Sequence, residues 1–221
     1  ADKLEAAEDL PMALHDMIKD TIAAHKRIIF NGNGYSDEWV VEAERRGLPN
    51  IKCMVDAVPA LVKPEAVEIF EKHGVYTKAE MESRAEVMYE TYSKTINIEA
   101  LTMIDMAKKQ IVPATIKYQT SLAESVNAIK AASSAVDTSV QEALMADIST
   151  NLKDMYAALA HLEEVAGKAE AMEEGAEQGH YYHDVVFTAM DELRKPADKL
   201  EMLVAKSAWP FPSYGDLIFE V

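Results

Sequence analysis

Two histidines three residues apart, His180 and His183, stand beside Glu177 and Asp184 and are the best metal candidates in the sequence. On a helix, residues i and i+3 share a face, so both imidazoles could reach one ion. No third ligand follows at metal spacing, and the zinc-hydrolase pattern is His-Glu-x-x-His. The pair is therefore read as a polar helical face, and no metal ligand is assigned. The carboxylate pairs Glu163/Glu164, Glu173/Glu174 and Glu42/Glu44 sit one or two positions apart, so on a helix they do not face each other or share a substrate. Cys53 has no setting that would lower its pKa, and no Ser-His-Asp arrangement carries a local signature. No catalytic, cofactor-binding or metal-binding residue is assigned.

One loop invites a phosphate reading, Phe30-Asn-Gly-Asn-Gly-Tyr-Ser36. Its two Asn-Gly pairs accept positive φ cheaply and mark turns. No Gly-Lys-Ser/Thr follows, no βαβ context surrounds it, and Asp37 and Glu38 would repel a phosphate. Asn31–Gly34 is taken as a structural turn of unassigned role.

Composition narrows the classes further. The 221 residues carry 38 acids against 22 bases, a formal charge of −16. That excess argues against nucleic acid and against an anionic membrane surface, both of which need clustered Lys and Arg. A single cysteine cannot form an intramolecular disulfide and suits a reducing compartment. No apolar run approaches the length of a membrane span, and no signal peptide shows. With 49% apolar residues and only 8 Gly and 8 Pro, a helical core is expected.

The helices that would carry these residues follow from periodicity and caps. Asp9 caps a first helix, with Pro11 in its first turn and a stripe of Leu14, Ile18, Ile22, His25 and Ile29. His25 on that stripe is read as partly buried. Ser36 caps a second helix, Asp37–Arg46, ended by Gly47. Asp56 caps a short helix broken by Pro59, and Pro64 starts another that ends at Gly74. Thr77 and Glu80 form a capping box for a helix some fifty residues long. Its stripe includes Met81, Met88, Tyr92, Ile96, Leu101, Ile104, Ile111, Tyr118, Leu122 and Ile129, with a kink at Pro113. Asp137 or Ser139 caps the next, whose seam runs Val140, Leu144, Ile148, Leu152, Met155, Leu159, Leu162, Ala166, Ala169. A last helix follows from Ala176 with Tyr182, Val186, Ala189, Leu193, Leu200 and Val204 inward and a second kink at Pro196. The fold class is all-α: an antiparallel bundle of long, proline-kinked helices preceded by several short ones. Residues 1–76 form the short-helix segment. Residues 77–221 form the bundle, ending in an aromatic tail, Trp209–Val221, that straps back onto the bundle or onto a partner.

Several stretches go beyond what packing demands. Ile28-Ile-Phe-Asn-Gly-Asn-Gly-Tyr-Ser-Asp-Glu-Trp39 lies within the matched span His25–Pro49; Phe70–Val75, Tyr92–Pro113 and Trp209-Pro-Phe-Pro-Ser-Tyr-Gly-Asp-Leu-Ile-Phe-Glu-Val221 join it. Together they closely resemble the C-terminal region of type III glutamine synthetases, as do Asp184–Phe187 and Asp191–Arg194. The resemblance covers nearly the whole chain and is weakest between about 121 and 178. It implies an ATP- and Mg2+-dependent ligation of ammonia to glutamate in the full-length enzyme, a cytoplasmic double-ring dodecamer. The family's catalytic motifs do not occur in this sequence, so no catalytic residue is carried over. The implied role is a structural and oligomerisation region, inactive by itself, that contacts its own catalytic domain and neighbouring subunits. The alternative from another class is a free-standing helical protein–protein interaction module. In the stretch Ser93–Pro113 the apolar stripe needs only Leu101, Ile104 and Ile111. The residues that make the match specific are Asn97, Glu99, Thr102, Asp105, Lys108 and Lys109, and the expectation is that they face another part of the enzyme.

Overall fold

A computed structural model describes residues 2–212 and 214–219. Ala1, and Ser213, Glu220 and Val221 of the aromatic tail, lie outside the described residues. Every regular element among them is helical, so the all-α class holds. The chain forms two compact units, residues 1–53 and 54–221.

The first unit holds α1 (Asp2–Glu5), α2 (Leu10–His25) and α3 (Asp37–Arg45). Asp9 caps α2 by accepting from the Met12 N–H at 3.1 Å, with Pro11 in the first turn as its fixed φ allows. No residue of α2 is buried. Its stripe of Leu14, Ile18 and Ile22 is about half exposed, and His25, expected to be partly buried, is exposed, because nothing within the unit covers this face. Ser36 occupies the cap position of α3 but makes no side-chain cap bond; its hydroxyl donates to the Asn33 carbonyl instead. Gly47, at φ +73°, closes the other end while Leu48 N–H donates to Ala43 O at 2.9 Å.

The second unit begins with α4 (Met54–Leu61) and α5 (Pro64–Lys72). Two sequence expectations change here. Asp56 lies inside the first turn of α4 rather than at its cap, and Pro59 is carried within the helix. Val55 and Val58 are buried, so α4 packs with the long helices that follow. The Thr77 capping box opens α6 (Lys78–Met106), with Thr77 N–H donating to Glu80 Oε2 at 2.7 Å. A π-turn over Ala107–Ile111 leads into α7 (Val112–Ala132), placing Pro113 in that segment's first turn. The wider π spacing accommodates a residue that lacks an N–H and whose ring crowds the carbonyl four back.

Next come α8 (Ser139–Glu170), α9 (Ala176–Tyr181), a second π-turn over Tyr182–Val186, α10 (Phe187–Leu203) and α11 (Tyr214–Phe219). Asp137 supplies the bond at the start of α8, accepting from Ser139 N–H at 2.9 Å. The core is continuous across α6, α8 and α10 and includes Ile96, Ala100, Met155, Leu159, Leu162, Val186 and Leu193. Every residue expected inward on the last long helix is buried. On α6 the seam differs from the expected one. Met81, Ala85, Tyr89, Ser93, Ile96 and Ala100 are buried, whereas Met88 and Leu101 are 40% and 49% exposed. Ala85, Ser93 and Ala100 alternate with Met81, Tyr89 and Ile96 at steps of three and four, and this face is buried in place of Met88 and Leu101. Val140, expected in the α8 seam, is likewise exposed.

Candidate functional site

The best metal candidate by sequence resolves into two separate aromatic contacts. His180 ends near α6, its ring centroid 6.5 Å from that of Tyr89 and its Nδ1 3.8 Å from Asp56 Oδ1. His183 lies 6.4 Å from Tyr92, and its Nδ1 is 2.7 Å from Asp184 Oδ1. Among the described residues no three His, Cys, Asp or Glu side chains converge on one point. Gly179 explains why the rings come so near α6. A Cβ at that position would sit 3.1 Å from Tyr89 Cδ1 and 3.3 Å from Val55 Cγ1, so the residue keeps the helices close. Gln178 is buried and donates to the Ala169 carbonyl at 3.1 Å, fastening α9 to the end of α8. Burial pushes the Tyr89 phenol up, and the Asp56 carboxylate acts in the same sense, which keeps the ring a neutral packing group.

The Asn31–Gly34 loop is also closed from within. Phe30 and Trp39 stack with centroids 4.4 Å apart, and the Arg46 guanidinium lies 5.6 Å and 5.7 Å from the two ring centres. The same group donates to Ile29 O at 2.5 Å and Arg27 O at 3.1 Å. Phe30 lies directly over Gly32, where an added Cβ would meet the ring at 2.5 Å. Asn33 Oδ1 accepts from Tyr35 N–H at 3.0 Å, completing an Asx turn. Tyr35 itself projects fully into solvent. Glu42 holds both Arg45 and Arg46, accepting from Arg45 Nε and Arg46 Nε at 2.6 Å each. Those two arginines keep its carboxyl at about 2. Arg46 is the residue that sequence reading missed. Its signal is the spacing: Trp39 and Arg46 lie seven apart, two turns along one helical face.

The carboxylate pairs take separate partners. Glu163 meets Lys108 of the first π-turn, while Glu164 meets Lys168 along α8 at 2.6 Å. Among the six polar residues of the spine, Glu99, Thr102, Asp105, Lys108 and Lys109 are exposed. Lys109 pairs with Asp105, and Asn97 is half-buried with its Oδ1 enclosed and unbonded. Ile98 and Phe187, 65% and 51% exposed, flank these polar residues on α6 and α10. This is a mixed apolar and charged face with no cover in the described structure.

No helix among the described residues is long and apolar enough to cross a membrane. The family model described as glutamine synthetase C-terminal domain matches residues 13–130, which hold both the pinned loop and the spine. A glutamine synthetase of Butyrivibrio fibrisolvens is 37% identical over 216 residues, covering 98% of this chain and 31% of the relative. The type-3 glutamine synthetase of Dictyostelium discoideum is 29% identical over 94% of this chain and 29% of its own length. A glutamine synthetase of Bacteroides fragilis gives the same figures, 29%, 94% and 29%. The chain thus spans about a third of the length of the curated relatives it matches. With the family model matched over more than half of its length, this chain belongs to the glutamine synthetase C-terminal domain family.

Proposed function

We propose that the chain is the bracing and assembly region of a cytoplasmic type III glutamine synthetase. In this reading it packs against the catalytic domain and neighbouring subunits of the same enzyme and performs no ligation alone. The observation that carries it is the uncovered stripe of α2. Leu14, Ile18 and Ile22 are 42%, 48% and 52% exposed at helical spacing, an apolar face that water does not favour. The exposed mixed face of α6 and α10 supplies a second docking surface.

Two measurements test the proposal. Incubating the 221-residue chain with ATP, Mg2+, glutamate and ammonia is expected to yield no glutamine, and steady glutamine formation would refute the non-catalytic role. In the full-length enzyme, Ile18→Asp with Ile22→Asp is expected to lower both the assembled fraction and the activity. In the isolated chain the same pair leaves the melting of the long helices unchanged. Full assembly of the doubly substituted enzyme would remove the bracing role.

A further inference from the structure

A cleft lies where the first π-turn, α10 and the tail meet, and the bracing role does not use it. It encloses about 300 Å3, the low end of the range for small-molecule sites. Its floor is Ala107 and Ile111 of the π-turn with Leu193 of α10, and its wall is the edge-to-face pair Trp209 and Phe211. The geometry follows from the sequence. The π-turn shifts the helix register, Ala107 and Ala197 contribute little bulk, and prolines on both sides of Phe211 keep the tail extended across the opening. π-turns recur at functional sites, and this one floors a cavity.

The rim fixes the charge of the occupant. Arg194 and Asp198 line it and are engaged with each other, Nε to Oδ2 at 3.3 Å. Lys206, in the segment leading to the tail, is held by Asp216 at 2.6 Å. Glu201 also lines the rim, and its carboxylate has no bond to any described residue. The spare charge of the cleft is therefore a single negative one beside two aromatic rings. We propose that this cleft binds a small organic monocation, an ammonium carried on an aromatic or branched aliphatic body. The body fills the floor against Ile111 and Leu193, and the ammonium sits between Glu201 and the Trp209 face.

Trp209 reports directly on occupancy. The chain has two tryptophans, so Trp39→Phe in the full chain leaves Trp209 as the sole indole emitter and keeps an aromatic ring in the other unit. Three probes share one body: 2-phenylethylammonium, 2-phenylethanol and 3-phenylpropionate. The ammonium is expected to change Trp209 emission saturably. The alcohol should bind about five-fold more weakly, the scale of one partly exposed charge contact, and the carboxylate should give no saturation. Glu201→Gln should bring the ammonium down to the alcohol's affinity and leave the alcohol unchanged. No saturable response to any probe would overturn the site. Equal binding of ammonium and carboxylate, or an unaltered ammonium affinity in Glu201→Gln, would overturn the charge assignment and the proposal with it.

Discussion

Residues 1–53 and 54–221 are both helical, yet they are ordered by different forces. In the second unit Met81, Ile148, Met155, Leu159, Leu162, Leu193 and Leu200 are almost wholly withdrawn from water. In the first, Ala43 is the only buried apolar side chain among those described. Its order comes from caps, an Asx turn and one arginine set against a stacked pair of rings. Its larger apolar residues point outward. A unit of this kind lacks the burial that offsets chain entropy. It is built to finish its core against something else, which is what a bracing segment of a larger enzyme would do.

The largest effect that separates the two units is truncation of a core side chain. Leu162→Ala removes a fully buried side chain from α8 and should cost about 2–5 kcal/mol in urea unfolding of the chain. Ile18→Ala, on the half-exposed stripe of α2, should fall within about 0.5 kcal/mol of the parent. Equal losses at both sites would mean that α2 is covered within this chain. The contrast as drawn would then fail.

How far the sequence revealed this division depended on which signals each element carries. Local chemistry was legible: the Thr77–Glu80 box, the Asp9 cap, and Gly47 and Gly74 at positive φ all appear where spacing placed them. The α10 stripe was legible because its inward residues are large and regularly spaced. The α6 seam was misread because Ala85, Ser93 and Ala100 give a weak hydropathy signal, whereas Leu101 and Met88 beside them give a strong one. The periodicity of α2 showed an apolar face but could not show that nothing within the unit covers it. His180 and His183 share helical spacing, but their rings lie against different tyrosines of α6. Arg46 closes its loop through carbonyls 17 and 19 residues away, a tertiary contact that no local pattern announces.

That clamp gives the next effect in size, confined to the first unit. Arg46→Ala loses three charged hydrogen bonds and two ring contacts and should cost about 2 kcal/mol of local order. Trp39 emission, read with Trp209→Phe in place, should move to the red, and the loop after Phe30 should become a cleavage site for proteases. Arg46→Lys should recover little, because an ammonium lacks the planar fork that spans both rings and both carbonyls. The unfolding of residues 54–221 should not change. In the second unit a gain is available instead. Thr115 is fully buried and its Oγ1 has no bonding partner, so Thr115→Val keeps the shape and removes an unpaired hydroxyl. We expect about 1 kcal/mol of added stability by urea titration. A loss of that size would place an unseen partner at the hydroxyl.

The smallest effect concerns Glu42, where the first unit's reliance on charge can be read directly. Arg45 and Arg46 hold its carboxyl at about 2, below the ordinary 4.5. A carboxylate lowered by folding contributes stability that is complete above the unfolded value. That contribution fades as pH drops from about 4.5 and is gone below about 2. Trp39 emission in the Trp209→Phe chain should therefore hold steady down to about pH 4.5 and then shift, with its midpoint between about 4.5 and about 2. Glu42 keeps contact with solvent, so raised salt should weaken the fork and carry the midpoint upward. Glu42→Gln should abolish the acid step in Trp39 emission. A step that persists in that variant would assign the pH response to other carboxylates, and the arginine fork would then not be what orders this half of the chain.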